Sequence, residues 1–519
     1  MIKLNGKQLL KRFGKARSAR SNWEDLWQDI YDLTMPAREG FYEVVPGEER
    51  TEEIFDETAL VSLADFVSRI QQGVIPAHLM WFRLEPGPEI EDPQERKTLQ
   101  AQLDVVGRFI WDAIVNSNFV NESQEVLTDI AVGWSTLTID DGIDGNLLAF
   151  KALPQCQTFW DTGGPMKEVD GVFRVREKIR IADIKLIWPD ATVSEGLKGK
   201  MRGDPDAVTN LVEASYRDWD DKRTPVYRYQ IVAGADKSMI VDTETRGLGA
   251  RPYVTPRWAV AAGETYGRGP LVSALPAIRT TNLVTEMILE NSQMAISGLW
   301  QVDDDGTINV DNVEIVPGAV YARPPDSRGL ERTDSPSNFN VGDIILSQQQ
   351  ENIRKALFSQ NLGPVDQTPR SATEINARMQ DLAEQTAGPS GRLKTEWLDK
   401  MIQRIVWLFT RAGILEMPQV DGKAIRVVAK SPLARAQKFE EIERIRGFAG
   451  DVIGMLGPQA GQLYIDHDEL VDELQSKWEV PQKMVRPEAQ RERMIAGATE
   501  LAGQQAQPGG LPAQAQIGQ

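Results

Sequence analysis

Apolar positions along the chain recur first at helical spacing, then in alternation, then at helical spacing again. Trp23, Leu26, Trp27, Ile30 and Leu33 fall on one helical stripe, which Pro36 stops. A second amphipathic run follows Asp56, with Leu60, Leu63, Val67, Ile70 and Val74 on one face and Gly73 and Pro76 at its end. A third covers Asp92 to Val132, with a break at Asn116 to Asn121. The period then switches to two. STLTIDDGIDGNLLAFKAL holds two extended runs around Asp-Gly turns, the mark of a hairpin. Phe173–Ile179, Val226–Ile231 and Ser238–Val241 read as further strands.

Helical spacing returns at Pro270 and holds to Ser297, which predicts a helix of 28 residues. At ~1.5 Å per residue it is about 42 Å long. Pro276, in its early turns, predicts a bend or a later start. Residues 299–336 are β-like and rich in turns, and Gly342–Phe358 is again helical. A loop with two prolines spans Ser359–Arg370. Ser371 then caps another helix with Glu374 as its capping-box partner, and Glu374 pairs with Arg378 one turn on. That run continues to about Ala412, with a break or kink predicted at Gly388-Pro389-Ser390-Gly391. Residues 432–475 read as mostly helical, and residues 503–519 as an uncharged tail that orders, if at all, within an assembly. The fold class is α+β, with no repeat of fixed period.

Composition narrows the function. At about 150 residues per domain, 519 residues predict three to four folding units. Seventy-six acids against 58 bases give a net charge of −18. That argues against a protein that grips nucleic acid through a basic surface, though not against DNA passing close by. Thirteen tryptophans point to buried anchors or large interfaces. The single cysteine, Cys156, permits no intrachain disulfide and suggests a reducing compartment. The start has no apolar signal core, and Arg404 and Arg411 break the best apolar stretch, Ile402–Leu415, so no membrane span is expected.

Candidate chemistry is sparse. His78 and His467 are far apart and belong to no metal-ligating pair. Asp466-His467-Asp468-Glu469 reads as a solvated acidic helix start. Asp303-Asp304-Asp305-Gly306 resembles the start of a calcium loop, but counting from Asp303 puts Ile308 where the turn needs glycine. Counting from Gln301 places Gly306 correctly and then fails at Gln301 and Asn312, so a hairpin turn is expected. There is no phosphate loop, and Gly267-Arg268-Gly269-Pro270 lacks the third glycine of a dinucleotide site. No GxSxG elbow exists, and no histidine lies near Cys156, which reads as a buried, inert thiol. No catalytic residue, metal or cofactor is predicted, and no pattern supports an enzyme.

A set of short pieces, in order, carries a resemblance. They are Trp23-Glu24-Asp25-Leu26-Trp27, Leu33 to Pro36, Ile54-Phe55-Asp56-Glu57-Thr58, and Trp81-Phe82 within Pro76–Leu84. Tyr266-Gly267-Arg268-Gly269-Pro270 is the strongest, followed by Ala274-Leu275-Pro276, Ile278 and Asn282. Ile353-Arg354-Lys355-Ala356-Leu357-Phe358, Ser371-Ala372-Thr373-Glu374-Ile375 with Arg378, Gly388-Pro389 and Ser431-Pro432-Leu433-Ala434 with Ala436-Gln437 complete it. Over most of residues 20–480 the chain resembles the portal (head-to-tail connector) proteins of tailed bacteriophages, of the short-tailed type. The family pattern has Thr where Ser371 stands; serine caps a helix equally well. Nothing beyond residue 484 takes part.

The resemblance implies a ring-forming portal fold. Its ring, usually of twelve copies, sits in the virion at one capsid vertex after assembly in the host bacterial cytoplasm. It passes double-stranded DNA during packaging and ejection, meets capsid and scaffolding proteins, docks the terminase and later holds tail or adaptor proteins. On this chain it implies a wing at 1–265, stem helices at 266–297 and 340–358 that start at Tyr266, Gly267, Arg268, Gly269 and Pro270, and a clip at 298–339. It implies a tunnel loop at 359–371, with Gln360, Asn361, Leu362, Gly363, Pro364, Val365, Asp366 and Gln367 toward the bore. A long kinked helix and wing return follow at 372–431, then a crown at 432–483 and a flexible tail at 484–519. Asp303, Asp304, Asp305, Asp311 and Glu314 of the clip would meet terminase or tail.

Elementary geometry agrees with passage of DNA. Twelve helices ~10 Å apart make a circle about 38 Å across and leave a bore of about 28 Å. B-form DNA, about 20 Å wide, fits with little to spare. The clip carries eight Asp/Glu against three Arg, net −5, and the stem helices balance to zero. An acidic lining repels the phosphate backbone and prevents sticking; the same acidity also serves solubility. A capsid-associated adaptor or scaffold that never surrounds DNA is the alternative, distinguished by the absence of open rings.

Overall fold

In the computed structural model the chain divides into two units, residues 1–434 and 435–519. The structure describes residues 4–301, 331–333, 339–359, 385–416, 426–429 and 432–457, apart from 43–46, 48–49, 88–89, 91, 143–144, 164–167, 220–224 and 298. Beyond 457 it describes only 464–466, 470–471 and 474.

The first unit opens with helix α1 (Gly6–Thr34). Asn5 caps it: Asn5 Oδ1 accepts from the Gln8 N–H at 2.9 Å, and Gln8 Oε1 accepts from the Asn5 N–H at 3.0 Å. The helix therefore starts well before the predicted aromatic stripe, and its two halves bury different faces. Leu9 and Ala16 pack on Phe159, Phe173, Val212, Ala214 and Tyr216 of a sheet. Trp27, Ile30 and Tyr31 are buried in the second half. Between them the buried Arg20 donates to the carbonyls of Gln155, Cys156 and Thr158 at 3.0, 2.8 and 2.9 Å and pins the helix to the sheet's first strand.

Helices α2 (Thr58–Val74), α3 (Pro93–Val115) and α4 (Phe119–Val132) follow, with strand β1 (Phe82–Glu85) between α2 and α3. In α2, Leu63, Val67, Ile70 and Val74 are buried as the spacing predicts, whereas Leu60 is exposed. The stripe is real but narrower than a count of apolar residues suggests.

The predicted hairpin forms: β2 (Thr136–Asp141) pairs antiparallel with β3 (Leu148–Leu153), and β9 (Tyr253–Val254) flanks β2. A five-stranded antiparallel sheet runs in chain order through β4 (Thr158–Gly163), β5 (Glu168–Arg180), β6 (Val208–Asp218), β7 (Val226–Ala233) and β8 (Met239–Arg246). Strand alternation gives it two apolar faces. Val212, Ala214 and Tyr216 face α1, while Leu211, with Ile231 and Ile240, packs against Ile181, Ile184 and Leu197. Those last three come from the β5–β6 connection, which holds short helices α5 (Ile184–Ile187) and α6 (Glu195–Gly203).

Helix α7 covers Pro270–Ser297, with the predicted bounds, and runs on through Pro276. It leads into β10 (Leu299–Gln301), paired antiparallel with β11 (Glu331–Thr333), and then into α8 (Phe339–Ala356). So α8 starts three residues before the predicted Gly342 and ends two before Phe358. The predicted break falls just ahead of Gly388-Pro389-Ser390-Gly391, where Thr386 interrupts the helical residues. A helix begins at Ala387 and contains those residues, with Pro389 in its first turn, where its missing N–H costs nothing. A second irregularity follows, a π-helical turn over Lys394–Leu398 before the helix Asp399–Arg411. Arg404 of that helix is buried; it donates to the carbonyls of Ile139 at 3.0 Å and Ala250 at 3.1 Å. Strand β12 (Arg426–Ala429) returns to pair with β1.

The helix Pro432–Leu456, which runs from the last residues of the first unit into the second, ends at Gly457 with φ +83°, and of the predicted helical residues beyond it Tyr464, Leu470, Val471 and Leu474 are helical. Phe448 and Met455 are exposed on it. Among the described residues no helix is long and apolar enough to cross a membrane.

Candidate functional site

The predicted stem start is a junction where two chain segments meet backbone to backbone. Gly133 follows the last turn of α4 with φ +148°. A Cβ placed on it would stand 2.2 Å from the Gly267 carbonyl oxygen, and a Cβ on Gly267 would stand 2.2 Å from the Gly133 oxygen. A Cβ on Gly269 would meet the Ala131 oxygen at 2.1 Å. Only glycine allows this approach. Hydrogen bonds use it fully: the Gly269 N–H donates to Val132 O at 2.8 Å, and the Trp258 N–H to Gly133 O at 2.8 Å. The Arg268 N–H donates to Ala259 O at 2.7 Å. Pro270 then opens α7 in the position that wants no donor.

Tyr266 anchors the junction from inside. Its ring centroid lies 4.8 Å from Trp134, 5.1 Å from Trp27 and 5.5 Å from Trp160. Its hydroxyl accepts from the Trp160 backbone N–H at 2.9 Å. Burial pushes that hydroxyl's pKa far up, so it stays protonated. Arg268 turns outward, paired with Glu264 at 2.7 Å and stacked over Trp23 at 4.8 Å.

The loop before α2 ties both long helices to this base. Asn282 of α7 accepts from the Phe55 N–H at 2.7 Å and donates to the Glu53 carbonyl at 2.8 Å. Asp56, two residues before the first residue of α2, accepts from the Thr58 N–H at 2.9 Å and from Gln350 of α8 at 2.6 Å. At the end of α8, Phe358 turns into the left-handed region (φ +54°). Arg69 holds its carbonyl at 2.7 Å, and its ring stacks on Phe66. Asp65 accepts from the Ser359 hydroxyl at 2.6 Å. Farther out the pair is less covered: Leu283, Met287 and Leu289 of α7 and Ile344 of α8 are exposed.

Behind the junction lies a buried carboxylate. Asp129 is ion-paired with Arg38 and accepts from Ser135 at 3.2 Å. Burial raises its pKa to about 7, against the pull of Arg38.

Tyr266, Gly267, Arg268, Gly269 and Pro270 are thus brought into one site with Trp23, Trp27, Phe55, Asp56, Asn282 and Phe358, all from pieces that carried the resemblance. The tunnel-loop residues Gln360, Asn361, Leu362, Gly363, Pro364, Val365, Asp366 and Gln367 lie outside the described residues, as do Ser371, Glu374 and Arg378. So do the clip residues Asp303, Asp304, Asp305, Asp311 and Glu314, and His467. Cys156 is half-buried, and burial pushes its thiol pKa up. His78 is exposed, and among the described residues no group of three or more potential ligands could hold a metal. Sequence reasoning missed Gly133, Trp134 and Trp160. The signal available was Gly133 itself, a glycine directly after a helical run.

A family model described as bacteriophage head to tail connecting protein matches residues 6–485. The chain is 21% identical over 470 residues to a probable portal protein of Bordetella phage BPP-1, covering 87% of this chain and 83% of that one. It is 21% identical over 543 aligned positions to the portal protein of Salmonella phage epsilon15, covering 98% and 93%. Similar solved structures include a virion of a native gene transfer agent particle (TM-score 0.37, 13% identity, 83% of this chain and 94% of that one). Another is a neck of that native particle computed with C12 symmetry (TM-score 0.37, 12% identity, 80% and 91%). With the model spanning the glycine junction and both long helices, the chain belongs to the family of bacteriophage head to tail connecting proteins.

Proposed function

We propose that this chain is a phage portal protein: copies close into a ring at one capsid vertex, and viral DNA passes through the ring during packaging and ejection. The observation that carries the proposal is the rooted helical pair. Helices α7 and α8 are both fixed at their base by the 53–58 loop, through Asn282 and Gln350. A pair held at one end and exposed along its length suits a stem that neighbouring copies cover. The role is structural, and the energy for packaging comes from the terminase.

On this basis α7 and α8 supply the stem, residues 298–339 the clip and 359–371 the tunnel loop. Residues 1–265 supply the wing, with 372–431 returning to it; residues 432–483 supply the crown and 484–519 a tail. The acidic clip, net −5, docks terminase and then tail or adaptor proteins, and it keeps a passing duplex from adhering. Capsid and scaffolding proteins meet the outside of the ring. The family match along the chain and two portal proteins among its relatives support these assignments.

Head assembly with and without this chain tests the proposal. Heads built with it take up DNA when terminase and ATP are supplied, and deletion of Gln360–Thr368 leaves rings intact but impairs packaging or retention. Heads that fill equally well in its absence would refute the proposal.

A further inference from the structure

The first 23 residues hold seven lysines and arginines and no acid, in a chain whose net charge is −18. Folding sorts these bases between the two faces of α1. Arg12 and Arg20 turn toward the sheet: Arg12 pairs with Asp161 at 2.6 Å and Asp170 at 2.7 Å, and Arg20 with Glu24 at 2.7 Å. Lys7, Lys11, Lys15 and Arg17 are exposed, and among the described residues no ion pair or hydrogen bond engages any of these four side chains. Lys7, Lys11, Lys15, Ser18 and Asn22 follow one another at spacings of four, four, three and four. They form one stripe on the side of the helix away from Leu9 and Ala16, with Arg17 beside it. The first acids past the stripe are engaged, Glu24 by Arg20 and Asp25 by the Tyr42 hydroxyl.

A face that only keeps a helix in water mixes its signs, as α3 does with the exposed charges Glu95, Arg96, Arg108 and Asp112. The α1 stripe carries only cations and small polar side chains, the groups that donate to phosphate oxygens. It offers no aromatic or aliphatic anchor, and lysine is depleted where proteins meet, so a protein partner fits it poorly. It offers no ring on which an unpaired base could stack, so a single strand fits it poorly too. From Lys7 to Arg17 the helix rises about 15 Å at ~1.5 Å per residue. A duplex presents one charge per ~1.7 Å, about nine over that length, which leaves a phosphate within reach of each cation.

We infer that the outward face of α1 binds duplex DNA through its phosphate backbone. The inference rests on the function proposed above only in taking duplex DNA as the polyanion this chain meets. The contact is separate from passage through the ring, because α1 belongs to the wing assignment and not to the acidic clip. The chain's overall charge repels a duplex, so the contact is confined to this stripe, reads no sequence and weakens steeply with salt. The clip lets DNA slide, and the wing helix holds it.

Fluorescence anisotropy of a short labelled duplex of mixed sequence, titrated with the full chain between about 50 and 200 mM salt, tests this. The parent is expected to bind with a slope of log K against log salt of about −3 to −4, at ~0.9 per phosphate contact. Lys7→Gln, Lys11→Gln, Lys15→Gln and Arg17→Gln together should weaken binding at least tenfold at the lower salt and bring the slope to about zero. The melting temperature should not change, because all four side chains are exposed. Lys11→Gln with Lys15→Gln should remove about half the slope, and Lys→Arg at all three lysines should keep it. No binding by the parent at the lower salt would overturn the inference, as would a fourfold variant that binds like the parent. Polyglutamate that displaces the duplex at equal charge concentration would make an acidic protein the occupant, and the inference falls. Open rings without duplex binding sink this inference alone; duplex binding without rings sinks the proposed function alone.

Discussion

Gly133 and Gly267 face each other with their carbonyls reversed, each oxygen standing 2.2 Å from where the other residue's Cβ would be. This contact fixes the start of α7 against the end of α4. Each of Gly133→Ala and Gly267→Ala is expected to cost about 2–4 kcal/mol, from overpacking against backbone that cannot yield. Gly14→Ala, in open space on α1, is expected to stabilise by about 0.5–1 kcal/mol. Urea unfolding of the three variants checks this, and a Gly267→Ala chain as stable as the parent would contradict it. The two costs should not add, because they arise from one contact.

Two side chains hold the base from either side. Tyr266→Phe keeps the ring packing but leaves the Trp160 N–H without its acceptor, an expected loss of about 1–2 kcal/mol. Asn282→Leu removes three bonds to the 53–56 backbone and should cost about 1–3 kcal/mol. Hydrogen exchange distinguishes them: the Phe55 amide should exchange faster in Asn282→Leu and unchanged in Tyr266→Phe.

The buried Asp129 gives the unit a pH dependence with a definite sign. Its folded pKa, about 7, lies above the ordinary value of 3.8, so the folded state holds this proton more tightly than the unfolded one. Its stabilising contribution is full below about pH 4 and is lost as pH rises through 7. Asp129→Asn removes this titration. The stability difference, parent minus variant, is expected to fall by a few kcal/mol at most between pH 4 and 8. Parallel stability profiles for the two chains would show that Asp129 does not titrate there.

The exposed face of α7 separates folding from assembly. Leu283 and Met287 are each 50% exposed, so replacing both with serine should change monomer stability by under about 0.5 kcal/mol. Ring yield, read by native mass spectrometry, should fall. An unchanged yield would remove this face from the contact between copies.

Much of this architecture was legible from residue patterns, for local reasons. Pro270 and the stripe after it set the bounds of α7, because a proline start and a steady period are both sequence-local signals. The Asp-Gly turns fixed the β2–β3 hairpin in the same way. Gly388-Pro389 marked a helix start rather than a break within its own residues, because a proline in a first turn is tolerated and the interruption sits at Thr386. Trp134 and Trp160 escaped notice because buried polar and apolar residues run together around them, leaving no period to read. The glycine contact is a tertiary fact: one segment states the need for a missing side chain, and the other supplies the reason. The resemblance marked Tyr266–Pro270 but not Gly133.

An averaged top view of the purified protein by electron microscopy tests the central claim most directly. The account predicts closed rings with a central opening wider than the ~20 Å of a B-form duplex. Solid particles, or an opening narrower than a duplex in every class, would contradict it.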